Sequence, residues 1–267
     1  MKKLLISMLF SAVAVFTSSA VSAQDLTVDE IVQKAHDIAY YAGQDGYSDV
    51  RMTIADSQGR ERIRDFRILR YDLEDGGRQK YYVYFFEPAD VARMVYMVWK
   101  RPGEDDDRWL YLPALDLVRR IAASDKRSSF VGSHFVYEDV SGRGLDADIH
   151  ELVETTADQY KIKNTPKDTG EVEFAYYFVW VDKDNFLPVK AEYYDGNDEL
   201  LRTIEAVTIE DIQGYPTVVR SRAEDHVRAG HTVMEFSDVH YDVDLKEDIF
   251  AERYLRRPPV QWIQRDR

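Results

Sequence analysis

The 267-residue chain contains no cysteine. That absence removes disulfide scaffolds, zinc ribbons, iron–sulfur clusters and thiol nucleophiles together. Positive charge is also scarce, with 35 Lys and Arg against 49 Asp and Glu, a net charge of −14. Nucleic-acid binders draw much of their affinity from neutralising phosphates, so this balance argues against that class. No stretch is rich enough in Pro or Ser to read as an interdomain linker. Beyond the first 23 residues no run is long and apolar enough to span a bilayer. What the chain does have is aromatic surface: 18 Tyr, 12 Phe and 4 Trp. A hydrophobic content of 45% is that of a folded globular protein.

The first segment reads as an export signal. Lys2-Lys3 precedes an apolar stretch from Leu4 to Phe16, and Val21-Ser22-Ala23 supplies a small-x-small exit. Cleavage is expected between Ala23 and Gln24. The apolar core is too short for a spanning helix, and no Cys follows that could carry a lipid. Processing removes two lysines and no acid, so the mature chain is more acidic still. It is expected to be a soluble, exported, single-domain protein covering residues 24–267, with a cysteine-free composition suited to an oxidising periplasm.

One helix opens the mature chain. Thr27 and Glu30 have capping-box spacing, and Val28, Ile31, Ala35, Ile38, Ala39 and Ala42 recur at three- and four-residue steps before Gly43. The spacing predicts an amphipathic helix from Val28 to Ala42. Strand patterns with polar turns then follow at intervals of about ten residues, the pattern of a meandering antiparallel sheet. Residues 122–148, with Ser128-Ser129, Gly132, Gly142 and Gly144, read as loop with short helical turns. Glu247 to Tyr254 reads as a short closing helix. About eleven strands exceed what a flat sheet tolerates, so the sheet must curl and acquire an inside. The fold class is α+β, mainly β: a strongly curved antiparallel half-barrel with helices lidding a hydrophobic cavity.

Catalytic and metal-binding patterns carry little weight. No pair among the six His residues has HExxH spacing. Asp146-x-Asp148-x-His150 and Asp105-Asp106-Asp107 read as solvated polar clusters rather than metal sites, and the acidic triplet lacks the closing Glu of a calcium loop. Gly142-Arg143-Gly144 is a turn and not a dinucleotide fingerprint. Ser128, Ser129, Ser133 and Ser141 lie in no nucleophile elbow. The expectation is a non-enzyme with no cofactor and no metal. The aromatic and Met excess is then the feature to explain, and an apolar pocket under the helix explains it.

Four ordered stretches carry a family resemblance. They are Asp107-Arg108-Trp109-Leu110-Tyr111-Leu112-Pro113-Ala114-Leu115, Gly132 to Ser141, Trp180-Val181-Asp182-Lys183-Asp184 running on to Asp195, and Glu235-Phe236-Ser237-Asp238. Over roughly residues 50 to 255 the chain resembles the outer-membrane lipoprotein-sorting protein family of the LolA-like superfamily. The resemblance implies a lidded half-barrel that shields the acyl chains of a lipid or lipoprotein crossing the periplasm, touching membranes only transiently. It also implies a partner, either an inner-membrane transporter of the resistance-nodulation-division (RND) type or an outer-membrane acceptor. It brings no catalytic residues.

The pocket residues come from alternation alone. Met52, Ile54, Phe66, Val83, Phe85, Met94, Tyr96, Trp109, Tyr111, Phe178, Trp180, Met234 and Phe236 are expected to line the cavity, with Ile31, Ala35 and Ile38 on the lid helix. Two other readings stay open at this level: a structural partner with a solid core, and a periplasmic hydrolase with a dispersed site.

Overall fold

The computed structural model describes residues 26–74 and 76–264. The export segment and the Ala23–Gln24 junction lie outside them. Helix α1 spans Val28–Tyr40. A first meander follows, with strands β1 (Asp45–Ala55), β2 (Glu61–Asp72), β3 (Gln79–Glu87), β4 (Val95–Lys100), β5 (Asp107–Leu112) and β6 (Leu117–Ile121). Residues 122–147, containing the short helix α2 (Tyr137–Ser141), then cross to a second meander. This comprises β7 (Asp148–Thr155), β8 (Gln159–Pro166), β9 (Tyr176–Asp182), β10 (Pro188–Tyr194), β11 (Leu200–Ile212), β12 (Tyr215–Asp225) and β13 (Gly230–Tyr241). The chain closes with a 3-10 turn at Glu247–Phe250 and the short helices α3 (Arg253–Arg256) and α4 (Val260–Ile263).

All thirteen strands form one antiparallel sheet in the order β6-β5-β4-β3-β2-β1-β13-β12-β11-β10-β9-β8-β7. The first and last strands of the chain's sheet therefore meet in its middle, and the edges are β6 and β7. Thirteen strands exceed the expected number of about eleven. Strand β6, Leu-Val-Arg-Arg-Ile, carries little strand signal because it is a mostly exposed edge strand. Bulges bend the ribbon at Tyr47/Asp49, Asp65/Phe66, Leu152/Glu154 and Ala206/Thr208. At the central seam, Gly46 lies so close to β13 that a Cβ would stand 2.5 Å from the His240 carbonyl oxygen. Only glycine permits that approach.

Three apolar clusters divide the interior. On the concave face of the first meander, Met52, Ile54, Phe66, Val83, Phe85, Met94 and Tyr96 pack with Phe130, Phe135 and Tyr137 of the crossing segment. On the convex face of the same strands, Leu69, Tyr82, Met97, Trp109 and Tyr111 pack against Leu245, Ile249, Phe250 and Leu255. The third cluster seats Ile31 and Ala35 of α1 on Ile162 of β8 and Val181 of β9. The closing segment is not the single helix expected over Glu247–Tyr254. It is interrupted at Ala251, which is extended, because its apolar residues must run along a sheet face rather than gather in one helical stripe.

Candidate ligand cavity

Helix α1 begins as its sequence demands. Thr27 Oγ1 accepts from the Glu30 amide at 3.3 Å, and Glu30 Oε2 accepts from the Thr27 amide at 2.8 Å. The bonds that the carboxylate accepts from the Thr27 amide and hydroxyl hold the Glu30 carboxyl below its usual range. The helix stops at Tyr40, not Ala42, because its last carbonyls are taken by side chains from the sheet. Gln79 Nε2 donates to the Tyr40 carbonyl at 2.7 Å, Arg70 Nη1 donates to the same oxygen at 3.1 Å, and Arg70 Nη2 donates to the carbonyls of Ala42 and Gly43. The C-terminal end is thus tied to β2 and β3 by directed bonds. The N-terminal half rests on β8 and β9 through apolar contacts.

Between α1 and the concave sheet lies a cavity of about 510 Å³. Helix α1 contributes Val32, Ala35, His36, Ile38 and Ala39. The second meander contributes Ile162, Tyr177, Val179, Val181, Ala191, Tyr193 and Ile204, and the seam adds Phe66, Ile68, Met234 and Phe236. The volume falls in the range of small-molecule pockets, and the lining is apolar with a polar end.

That end is built from the crossing segment. Arg127 pairs with Glu138 at 3.1 Å and with Glu173, and Arg143 pairs with Asp148 at 2.9 Å. Arg202 pairs with Asp139 at 2.7 Å, and the Tyr177 hydroxyl donates to Asp148 at 2.7 Å. His150, singled out with Asp146 and Asp148 in the sequence, holds Asn164 at 2.7 Å and the Leu145 carbonyl at 3.0 Å. Lys100 is buried and donates to the carbonyls of Ser141 and Gly142; burial lowers its pKa to about 8. Gly142 (φ +78°) lets this turn pass beneath Tyr40, whose ring a Cβ would meet at 2.7 Å.

His36 behaves differently from these paired groups. It lies on the inner side of α1 against the rings of Tyr40 and Tyr41, at centroid distances of 5.4 and 5.3 Å. Neither ring nitrogen has a hydrogen-bond partner. Asp37 Oδ1 stands 3.9 Å away, beyond bonding reach. Burial, aided by the nearby Lys100 charge, lowers the imidazole pKa to about 4, so the ring is neutral at pH 7.

The structure sorts the sequence-predicted pocket residues into three groups. Phe66, Met234, Phe236, Ala35 and Ile38 lie on the cavity wall. Met52, Ile54, Val83, Phe85, Met94 and Tyr96 face the concave side, but the aromatic residues of the crossing segment fill the space before them, so they form solid core. Ile31 is likewise packed shut, against Ile162 and Val181.

Four of the expected residues face away from the cavity altogether. Trp109 and Tyr111 face the convex side, under the closing segment. Phe178 and Trp180 also face outward, since Tyr177, Val179 and Val181 are the β9 residues on the cavity. Their outward position is tolerable because lysines cover them. Lys161 Nζ sits 4.3 Å from the Phe178 ring centroid and 4.7 Å from that of Trp180, while Lys190 Nζ sits 5.3 Å from Trp180. The sequence reading missed His36, Tyr177, Val179, Ala191 and Ile204. The strict alternation of Tyr160-Lys161-Ile162-Lys163-Asn164 was the signal that could have placed Tyr177 and Val179. It aims Ile162 inward, and antiparallel pairing of Lys161 with Trp180 and of Lys163 with Phe178 then turns those aromatic residues outward.

Comparison with known proteins agrees with this architecture. A family model described as that of an uncharacterized protein matches residues 77–257. No curated protein matches the chain. The crystal structure of a DUF1329 family protein from Desulfovibrio piger is 33% identical, with a TM-score of 0.77 over 85% of this chain and 97% of that one. A domain described as an outer membrane lipoprotein-sorting protein from Vibrio parahaemolyticus is 27% identical, with the same TM-score and the same coverage. A LolA superfamily protein from Nitrosomonas europaea shares the fold, with 22% identity and a TM-score of 0.66 over 86% of this chain and all of that one. The chain therefore belongs to the DUF1329 family, and its mainly β, open curved sheet is of the LolA-superfamily type.

Proposed function

We propose that the protein is a non-enzymatic periplasmic carrier. It takes the acyl chains of a lipid or lipoprotein into the cavity under α1 and carries them between the inner and outer membranes. An inner-membrane transporter of the RND type or an outer-membrane acceptor is its partner. The observation that carries this reading is the apolar hollow of about 510 Å³ between α1 and the concave face, beside the buried apolar cluster of the first meander. Hiding hydrocarbon from water is worth about 0.8 kcal/mol per methylene, so area alone supplies the affinity a shuttle needs. Among the described residues the charged groups at the polar end of the cavity are paired with one another, which favours holding a cargo over transforming it. The likeness to a domain described as an outer membrane lipoprotein-sorting protein supports the cargo class.

The test is direct. The protein is purified from its native host, extracted with organic solvent, and the extract is analysed by mass spectrometry. A bound lipid at near-stoichiometric amount is expected, together with uptake of a fluorescent diacyl lipid from vesicles. Absence of both would overturn the reading.

A further inference from the structure

The cavity wall is electrically self-contained. Arg127 answers Glu138, Arg143 answers Asp148, and Asp139 answers Arg202. Lys100 spends its ammonium on two backbone carbonyls. Among the described residues a cargo that brought net charge under the lid would find no free counter-charge, and taking an unpaired ion out of water is costly. One capacity on the wall is left over. Among the described residues, the two ring nitrogens of His36 are the buried cavity-lining side-chain atoms without a hydrogen-bond partner. The side chain is 9% exposed. A buried polar group left unpaired is destabilising, and native proteins rarely tolerate one without a use for it.

The chemistry of that ring is specific. A neutral imidazole offers one N–H donor and one lone-pair acceptor. A hydroxyl, which both donates and accepts, satisfies it completely, whereas a carboxylate or phosphate monoester can only accept once ionised. We propose that the cargo is a long-chain lipid whose buried polar group is an uncharged hydroxyl, and that His36 selects it by hydrogen bonding. This deepens the carrier reading and rests on it.

Competition against the neutral dye Nile red, with the mature protein at pH 7.5, tests both levels. The competitors are oleyl alcohol, sodium oleate and 1-octadecene, each delivered from cyclodextrin. Native protein is expected to bind the alcohol at least tenfold more tightly than oleate and about fivefold more tightly than the hydrocarbon. His36→Phe should keep hydrocarbon binding and lose the preference for alcohol over hydrocarbon. His36→Asn, which retains a donor and an acceptor, should keep that preference in part. Oleate binding as well as the alcohol, or His36→Phe retaining the full preference, overturns the assignment of His36 while leaving the carrier reading standing. Failure of the native protein to take up Nile red or any competitor overturns the carrier reading, and this one with it.

Discussion

The two meanders are built alike and used differently. In β2 to β5 both faces are covered: the crossing segment presses Phe130, Phe135 and Tyr137 onto the concave side, and the closing segment lays Ile249, Phe250 and Leu255 on the convex side. In β8 to β11 the convex side carries a ladder of aromatic residues and lysines. The concave side meets the N-terminal half of α1 at Ile162 and Val181 and leaves a gap beside that contact. Solid or hollow is thus decided by the segments outside the sheet, not by the strands. The first half acts as a frame. The second half, with one tethered helix above it, is where a guest can enter.

If that division is right, damage to the frame should cost stability and damage to the hollow should cost binding. The largest effect is expected from Phe250→Ala, which removes a fully buried ring from the convex cluster. It should lower unfolding free energy by about 3–5 kcal/mol in urea titration. Asp139→Ala strands the buried Arg202 guanidinium and should cost a comparable 3–5 kcal/mol, now with loosening of the polar end of the cavity. Hydrogen exchange in residues 122–147 would report that loosening.

A smaller effect concerns acid. The His36 imidazole faces Asp37 and Tyr40 on its own helix, Tyr41 just after it and Lys100 from β4, and its pKa is lowered to about 4 in the folded protein. The unfolded chain binds the proton first, from pH 6.5 downward, so stability is complete above that value and falls as pH drops toward 4. Linkage puts the whole loss from this group at about 3 kcal/mol. His36→Phe should flatten that part of the stability profile. A variant as acid-sensitive in this window as the native protein would contradict the assignment.

The smallest effect is expected on the far side of the hollow. Trp180→Ala removes a half-buried ring capped by lysines and should cost only about 1 kcal/mol, with lipid uptake unchanged. Its sequence neighbour Val179 points the other way. Val179→Trp should fill the hollow and cut uptake at least tenfold.

Much of the frame was legible in the sequence because its signals are local. The capping box at Thr27 and Glu30, the turns, and the period-two strands all arise from near neighbours in the chain. The curl followed from strand number alone. Which face of a strand points inward was legible only where one face was plainly polar, as in Tyr160 to Asn164. In β9 both faces are apolar or aromatic, and the register across β8 decides between them. In β5 the deciding partner, the closing segment, lies well over a hundred residues away, and nothing in Trp109 or Tyr111 announces it. Nor could alternation tell hollow from core: Val83 and Val179 both face the concave side, and only the placement of Phe130 and its neighbours fills the space before one and not the other. His36 escaped notice because a lone histidine on an apolar stripe reads as ordinary packing until its missing partners are seen.

Uptake of a fluorescent diacyl lipid by Val179→Trp and Phe178→Ala, two adjacent residues on opposite faces of one strand, tests the hollow most directly. Loss of uptake in the first with folding intact, and native uptake in the second, is the predicted outcome. Equal uptake by both variants would mean that the lipid does not enter under α1.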